Sequence, residues 1–374
     1  MNPAISTRLP RFKDALAAAG LDGAIVGRPE NVFYLSGVST SQGRPCLAVV
    51  GPRRAAVVAP LGSAILAPDV ALYGYGVPGG IVDRIVDVDQ ESADALRAAF
   101  DHAELGGARA GIEDAAVPAR HAAVLAQAAT LVPLHEEVEA LRRHKDAGEL
   151  QLIREAIRCN EAGFAAAQRA IAPDVSEFEV YLAVARAIQE AAGMALGLND
   201  SNHAFISGPR TEIAAGPPTD RRLQTGDLMI IDVNPVIRHY KGDITRTFCV
   251  GKPNAAQRAM HDVLVRALDR AMAAGRPGAM GREVDAVMRE LLVEAGYGQW
   301  LTTHFGHGLG LQHLERPYII PAEEQRLEEG MVIALEPGVY GPEGMSMRLE
   351  DNYLVTANGL EPLSHFPREL IVCG

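Results

Sequence analysis

Residues 228–251 read LMIIDVNPVIRHYKGDITRTFCVG and give the clearest view of how the second half of this chain is built. They contain two short β-prone runs, 228–236 and 247–251, which we predict to be strands. Asp232 lies inside the first run, and Asp243 comes shortly before the second. A carboxylate rarely enters such surroundings unpaired, because its desolvation is costly. The segment therefore predicts buried strands that carry a polar function.

Two later segments repeat this pattern. The runs MVIALEPGVY (331–340) and MRLEDNYLVT (347–356) also predict strands, and they contain Glu336 and Glu350. One acidic residue in a strand is usually an edge residue, but four such residues need a shared counter-charge. Arginine is one source of it, and a divalent metal held by carboxylate oxygens is another. The arginines near these runs in sequence are Arg246 and Arg348.

A histidine-bearing segment favours the metal. The stretch THFGHGLGLQHLERP (303–317) places His304, His307 and His313 within ten residues, among glycines that allow close backbone approach. Four carboxylates balance the charge of two divalent cations. The residue types therefore predict a dinuclear centre rather than a single ion.

Length and composition set the wider frame. The chain has 374 residues and a formal net charge of −12, with four scattered cysteines. We expect two domains, no nucleic-acid partner, no disulfide scaffold, no membrane-spanning segment and a cytoplasmic location. Short strands interleaved with helices predict an α/β domain over residues 1–135, and a strand-rich α+β domain follows over 136–374.

Local signals give a coarse map of the elements. We predict strands at 23–27, 47–51 and 55–60, and a long helical region over 134–168 whose first part connects the domains. A loop is expected over 200–226, which is rich in Gly, Pro, Asn and Thr. The predicted helices cover 8–19 and lie near 145–170, 176–192, 255–274 and 281–295.

These motifs together resemble the pita-bread metallopeptidase superfamily, which includes creatinase, prolidases and Xaa-Pro aminopeptidases, and in particular its prolidase-like branch. The resemblance covers nearly the whole chain. It rests on Asp232 and Asp243 eleven residues apart, on Gly-His-Gly-Leu-Gly at 306–310, and on two glutamates fourteen apart. Supporting matches are Tyr240, Thr-Arg-Thr at 245–247, Glu-Pro-Gly-Val-Tyr at 336–340, Arg-Leu-Glu-Asp at 348–351, 28–37 and 363–370.

The resemblance implies a fold, a metal centre and roles for its residues. The fold is an N-terminal creatinase-type α/β domain followed by a C-terminal pita-bread domain, and relatives of this kind form homodimers. Two divalent ions per subunit are expected, Mn²⁺ first, with Co²⁺ or Zn²⁺ as alternatives. Glu336 would be the general base, and Arg348 would orient a ligand. The implied metal ligands are Asp232, Asp243, His307, Glu336 and Glu350.

Several positions depart from the family pattern. Ala215 and Leu314 stand where the peptidases have histidines, and His304 and His313 are each displaced by one residue from a family histidine. A one-residue shift on a strand turns a side chain to the other face, and a bulge restores it. We keep His304 and His313 as candidate catalytic residues. The candidate substrate contacts are His203 and Tyr240.

Three functions remain open at this point. The first is hydrolysis of a C–N bond in a short peptide by an Xaa-Pro aminopeptidase or dipeptidase. The second is a small-molecule C–N hydrolase or lyase of the creatinase or ectoine-hydrolase kind, which the departures motivate. The third is a binding module that keeps the fold without catalysis, which the complete ligand set opposes.

Overall fold

A computed structural model describes residues 5–39, 44–80, 84–134, 136–196, 204–301 and 304–374. The chain divides into two compact units, Met1–Arg142 and Arg143–Gly374. The domain boundary expected between residues 135 and 136 stays a prediction. Among the described residues, every helix is either too short or too polar to cross a membrane.

The first unit is built on a six-stranded mixed sheet. Its strand order is β4-β3-β2-β1-β5-β6, with parallel pairing at β3–β4, β1–β5 and β5–β6. The elements are α1 (Ile5–Ala18), β1 (Gly23–Val26), α2 (Pro29–Ser36), β2 (Leu47–Val50), β3 (Ala55–Pro60), β4 (Val70–Tyr75), α3 (Val88–His102), β5 (Arg109–Ile112), α4 (Ala119–Leu125) and β6 (Thr130–Pro133). Helix α5 (Glu137–Arg143) follows at the boundary between the units. The three predicted strands of this half correspond to β1, β2 and β3.

A buried carboxylate organises the start of α2. Glu113 accepts hydrogen bonds from the backbone amides of Gly27 and Arg28, at 2.8 and 2.7 Å, and from the Asn31 side chain. These amides precede the helix, where backbone donors have no partner within the helix. Negative charge at this end also suits the helix dipole. The motif at 28–37 thus has a structural role inside this unit.

The second unit combines four sheets with four long helices. Its larger sheets have the orders β19-β11-β8-β7 and β13-β12-β14-β17-β18, and β9–β10 and β15–β16 form two-stranded sheets. The helices are α6 (Ala147–Ala170), α7 (Glu177–Ala192), α8 (Ala255–Ala274) and α9 (Gly281–Glu294). The strands are β7 (Ala204–Ser207), β8 (Leu228–Val233), β9 (Val236–Ile237), β10 (Tyr240–Lys241), β11 (Ile244–Val250), β12 (Gly306–Gly308), β13 (Glu315–Tyr318), β14 (Val332–Leu335), β15 (Gly338–Tyr340), β16 (Ser346–Arg348), β17 (Asp351–Thr356), β18 (Gly359–Pro362) and β19 (Ile371–Cys373).

Three runs predicted as single strands are each divided in the structure, and the first of them, 228–236, breaks at Asn234 and Pro235 between β8 and β9. The run at 331–340 breaks between β14 and β15, at Glu336 and Pro337. The run at 347–356 breaks between β16 and β17, next to Glu350. Proline has no amide hydrogen to donate to a strand ladder, which accounts for the break at Pro337. Both glutamates therefore lie where the chain passes from one sheet to another.

Two other predictions were wrong in part. The region expected as a loop, 200–226, contains β7 and a 3₁₀ helix at Gly208–Ile213, because the short segment at 204–207 pairs with β8. The helical region expected over 134–168 is interrupted between α5 and α6. Asp146 begins α6 with a reciprocal capping arrangement in which Glu149 bonds back to the Asp146 amide. Such a box starts a new helix rather than continuing the preceding one.

A buried histidine makes the first unit sensitive to acid. His121 is 1% exposed, and its Nε2 lies 2.9 Å from Ser92 Oγ, whereas Nδ1 has no hydrogen-bond partner among the described residues. Burial lowers the pKa of His121. The unfolded state therefore binds a proton that the folded state rejects, and stability falls as pH drops below about 6.5. Urea unfolding of the whole chain between pH 8 and 5.5 should show a smaller loss for H121L than for the unaltered chain. Parallel curves would contradict this assignment.

Candidate metal centre

The pairing of β8 with β11 brings the first two predicted ligands together. Asp232 lies in β8 directly opposite Thr245 of β11, and Asp243 stands immediately before β11 begins. Asn352 holds the Asp243 backbone from both sides: its Oδ1 accepts from the Asp243 amide at 3.0 Å, and its Nδ2 donates to the Asp243 carbonyl at 2.6 Å. The backbone of Asp243 is thus fixed by a side chain from β17.

His307 is placed by a strand that its glycine neighbours allow to fit. It lies at the centre of β12, between β13 and β14. A Cβ atom on Gly308 would lie 2.5 Å from the Arg316 carbonyl oxygen, so no larger residue fits there without movement. Nδ1 of His307 lies 3.0 Å from the Gly308 carbonyl oxygen, which leaves Nε2 for the interior. In metal-binding histidines, a hydrogen bond made by the ring nitrogen that does not bind the metal fixes the orientation of the ring.

The five predicted ligands form one buried cluster. Together with His313, their ligand atoms form three overlapping groups. Within each group, all the atoms lie within 4.8 Å of one another. The groups are Asp232 with Asp243 and Glu350, His307 with Glu336 and Glu350, and Asp243 with His307 and His313. The five predicted ligands are all at most 7% exposed. The sequence reasoning and the geometry therefore agree on which side chains meet, and their function as ligands stays a prediction.

Unpaired oxygens show that this cluster fits a cation. Asp232 Oδ1, Asp243 Oδ2 and Glu350 Oε1 are buried and have no hydrogen-bond partner among the described residues. Buried polar atoms in native proteins nearly always have a hydrogen bond, so three carboxylate oxygens without one need an explanation, although Asp243 Oδ2 also has an ion-pair contact with His313 Nδ1 at 3.0 Å. Carboxylate and imidazole donors are the set that binds divalent metals such as Mn²⁺. The residues present fit divalent ions.

The charges of the cluster are divided unequally. Burial raises the pKa of Asp232 to about 7, against the opposing charge of Arg348. Burial and then the charge of Asp243 raise the pKa of Glu350 as well. Burial also acts to raise the pKa of Glu336, but hydrogen bonds from His304 and His307 outweigh it and lower that pKa. Glu336 therefore stays ionised more readily than Asp232 or Glu350.

Of the two arginines considered as counter-charges, one lies in the cluster. Arg348 donates through Nη2 to Asp232 Oδ2, and its Nε donates to Thr245 Oγ1 at 3.1 Å. Thr245 in turn donates to Glu350 Oε2 at 2.6 Å. Arg246 instead forms a buried ion pair with Asp351 at 2.8 Å, so the suggestion that it neutralises the four carboxylates was wrong.

The two displaced histidines both line the cavity in front of the cluster. His304 Nε2 lies 3.1 Å from Glu336 Oε1, and His313 Nδ1 lies 3.0 Å from Asp243 Oδ2. Alternation along a strand does not apply to either, because His304 precedes β12 and His313 lies between β12 and β13. Burial acts to lower the pKa of His313, but Asp243 outweighs it and raises the pKa to about 9.

Of the two predicted substrate contacts, only Tyr240 is described by the structure. Tyr240 is 2% exposed, and its hydroxyl donates to Glu149 Oε1 at 2.8 Å. It is not among the residues that line the cavity, so we do not retain it as a substrate contact. His203 lies outside the described residues.

The cavity has a volume of about 390 Å³, and several apolar residues line it. The sequence did not predict most of these residues as part of the site, because they belong to no chemical motif. Tyr340 was visible as the last residue of the Glu-Pro-Gly-Val-Tyr motif, and its hydroxyl accepts from Arg348 Nη1 at 3.0 Å. The apolar residues that line the cavity are Ile213, Ala214, Ala215, Leu301 and Leu314.

Comparisons with known proteins agree with this architecture. The model of the metallopeptidase family M24 matches residues 151–357, and that of the creatinase/prolidase N-terminal domain matches residues 8–144. An uncharacterized peptidase of Bacillus subtilis, YqhT, is 30% identical over 371 residues, covering 98% of this chain and 99% of its own. The Xaa-Pro dipeptidase of Pyrococcus furiosus is 41% identical over 167 residues, covering 45% of this chain and 48% of its own.

Solved structures show the same fold over the whole length. Dipeptidase PepE from Mycobacterium ulcerans has a TM-score of 0.83 at 28% identity, covering 100% of this chain and 99% of its own. The prolidase from Pyrococcus horikoshii has a TM-score of 0.81 at 26% identity, covering 98% and 100%. The expected N-terminal creatinase-type domain and C-terminal pita-bread domain are confirmed. This chain belongs to the metallopeptidase family M24 and is a metal-dependent hydrolase.

Proposed function

We propose that this chain is a dinuclear metallopeptidase that cleaves Xaa-Pro dipeptides. The observation that carries the proposal is the group of unpaired buried carboxylate oxygens behind a cavity that two histidines line. A volume of about 390 Å³ lies in the range of small-ligand sites and suits a short peptide. Relatives named Xaa-Pro dipeptidase and dipeptidase support the choice of substrate. They do not favour the small-molecule alternative.

The residues divide naturally between two ion positions. Asp232, Asp243 and Glu350 would hold one ion, and His307, Glu336 and Glu350 the other. Oxygen-rich ligation suits Mn²⁺, which we keep as the proposed metal. Divalent ions held by these residues would supply a water of lowered pKa and would polarise the carbonyl of the scissile bond. A homodimer and a cytoplasmic location stay predictions.

Glu336 has the position and charge of a proton carrier. It lines the cavity, and its lowered pKa keeps the carboxylate ionised and ready to accept a proton from the attacking water. Delivery of that proton to the leaving proline nitrogen completes the cleavage of the peptide bond. Arg348 donates hydrogen bonds to Asp232 and Tyr340, and in this way it holds the carboxylate of Asp232, a proposed metal ligand, in place.

His304 and His313 supply donors at the mouth of the site. Their ring centroids lie 6.1 and 5.2 Å, respectively, from that of His307. An imidazole N–H placed there can donate to a carbonyl or carboxylate oxygen of the peptide as charge develops. Under the proposed function, both histidines contact the substrate.

Replacement of Glu336 tests the proposed reaction. The Mn²⁺-loaded chain should hydrolyse Xaa-Pro dipeptides, and E336Q should reduce kcat by about 10²- to 10⁴-fold because the proton carrier is lost. Metal content measured for each protein separates lost chemistry from lost metal, and E361Q, at an exposed glutamate, is the control. The panel also contains Xaa-Pro tripeptides, creatine and small cyclic amides. Turnover confined to creatine or the cyclic amides by metal-loaded protein would overturn the proposal.

Replacement of the two histidines tests their contact with substrate. H304A and H313A should each lower kcat/KM for an Xaa-Pro dipeptide by about 10²- to 10³-fold, the loss typical of one transition-state donor. Both ions should remain bound, and H365A, at an exposed histidine, should be unaffected. Loss of an ion from H313A would instead assign this histidine as a ligand.

Neutralising Glu350 tests whether the cluster is built for cations. Its raised pKa means that the metal-free folded state holds a proton that the unfolded state releases, so stability falls as pH rises above about 4.5. In chelator at pH 8, E350Q should therefore be more stable than the unaltered chain. Mn²⁺ at 100 times its Kd should stabilise the unaltered chain by about 2.7 kcal/mol for each ion bound, and the same Mn²⁺ concentration should stabilise E350Q by less. Equal gains from Mn²⁺, measured by urea unfolding, would argue against Glu350 as a ligand.

A further inference from the structure

Asn234 is a buried amide at the edge of the carboxylate cluster that the proposed function leaves unexplained. It follows β8, two residues after Asp232, and is 2% exposed. Residues two apart along an extended chain point their side chains to the same side. Asn234 therefore belongs on the side where Asp232 meets Asp243.

The nitrogen of this side-chain amide has a hydrogen-bond partner, whereas its oxygen has none among the described residues. Nδ2 donates a hydrogen bond to Asp243 Oδ1. Oδ1 of Asn234 is buried and has no hydrogen-bond partner among the described residues. It shares that condition with Asp232 Oδ1, Asp243 Oδ2 and Glu350 Oε1. An amide carbonyl oxygen is a hard ligand of the same kind as these carboxylate oxygens.

Unsatisfied oxygens from four neighbouring side chains have a common explanation. Each buried acceptor without a donor costs free energy, and a cation satisfies several of them at once. The group formed by Asp232, Asp243 and Glu350 contains no histidine, so all of its donors are oxygens. The group formed by His307, Glu336 and Glu350 does not include Asp243, the carboxylate that Asn234 contacts, although Asp243 also forms a group with His307 and His313.

We propose that Asn234 is a further residue of the metal centre, assigned to one of its two ion positions. Its Nδ2 holds the Asp243 carboxylate, and its Oδ1 joins Asp232, Asp243 and Glu350 around the ion at that position. This inference rests on the proposed function, because it requires that the cluster binds divalent ions. The consequence is specific: loss of Asn234 weakens one ion and leaves the other in place.

Metal titration of the N234A variant tests the assignment. Metal-free protein is titrated with Mn²⁺ by calorimetry and, separately, with Co²⁺ while the visible spectrum reports its coordination. The unaltered chain should bind two ions. N234A should bind one of them with unchanged affinity and the other about 10- to 100-fold more weakly, with a change in the Co²⁺ spectrum of that ion alone. N234D retains an oxygen at this position but loses the Nδ2 donor to Asp243, so it should bind the affected ion more tightly than N234A does.

Asn160 provides a matched control for the loss of a buried amide. It is 0% exposed, its Nδ2 donates to the Val233 carbonyl, and its Oδ1 also lacks a hydrogen-bond partner among the described residues. Among the described residues, its side chain bonds to the end of β8, the strand that carries Asp232, and to no carboxylate of the cluster. N160A should change thermal stability and leave both ion affinities unaltered. Circular dichroism of each variant verifies the fold.

The possible results separate the inference from the proposed function. Two ions bound by N234A with the affinities of the unaltered chain would overturn the inference and leave the proposed function standing. Equal weakening in N234A and N234D would overturn a ligand role for Oδ1, and the same weakening in N160A would show a general effect of packing. Failure of the unaltered chain to bind any Mn²⁺ or Co²⁺ would overturn the proposed function, and the inference with it.

Discussion

The burial of four carboxylates beside one another is the constraint on which the second unit depends. Each would cost several kcal/mol to remove from water, and their mutual repulsion adds to that cost. The protein contributes only part of the compensation, chiefly through Arg348 and the histidines. Residual unpaired oxygens and raised pKa values at Asp232 and Glu350 show that the compensation is incomplete. Divalent cations would complete it, so the fold and the proposed chemistry would have a common electrostatic origin.

The sheets act as a rigid frame for these charges. Asp232 and Asp243 come from neighbouring strands, whereas Glu336 and Glu350 come from points where a strand ends and the chain enters another sheet. At such points the side chains are held by paired backbone on both sides, and the chain can still turn toward the interior. Asn352 and Thr245 add hydrogen bonds that fix Asp243 and Glu350. Sites held by strands rather than by long loops keep their geometry more accurately.

Sequence reasoning succeeded where a chemical conflict was visible in the letters. Acidic residues in or beside apolar runs identified Asp232, Asp243, Glu336 and Glu350, and histidines clustered among glycines identified His307, although the strand that carries it was not predicted. It failed where the deciding contact was distant in sequence. The buried pairing of Arg246 with Asp351, the strand at Ala204–Ser207 and the direction of His313 depend on tertiary neighbours that no local pattern records. The contact of Asn234 with Asp243 likewise became visible only in the structure.

The ligand set is spread along the chain from Asp232 to Glu350, and this spacing has a kinetic consequence. No short segment contains enough donors to hold an ion, so an unfolded chain offers no local site. The long-range strand pairings of the second unit must form before the donors meet, and such pairings form slowly. An ion that binds only after they have formed lowers the unfolding rate more than it raises the folding rate. Metal would therefore extend the lifetime of the native protein without guiding its folding.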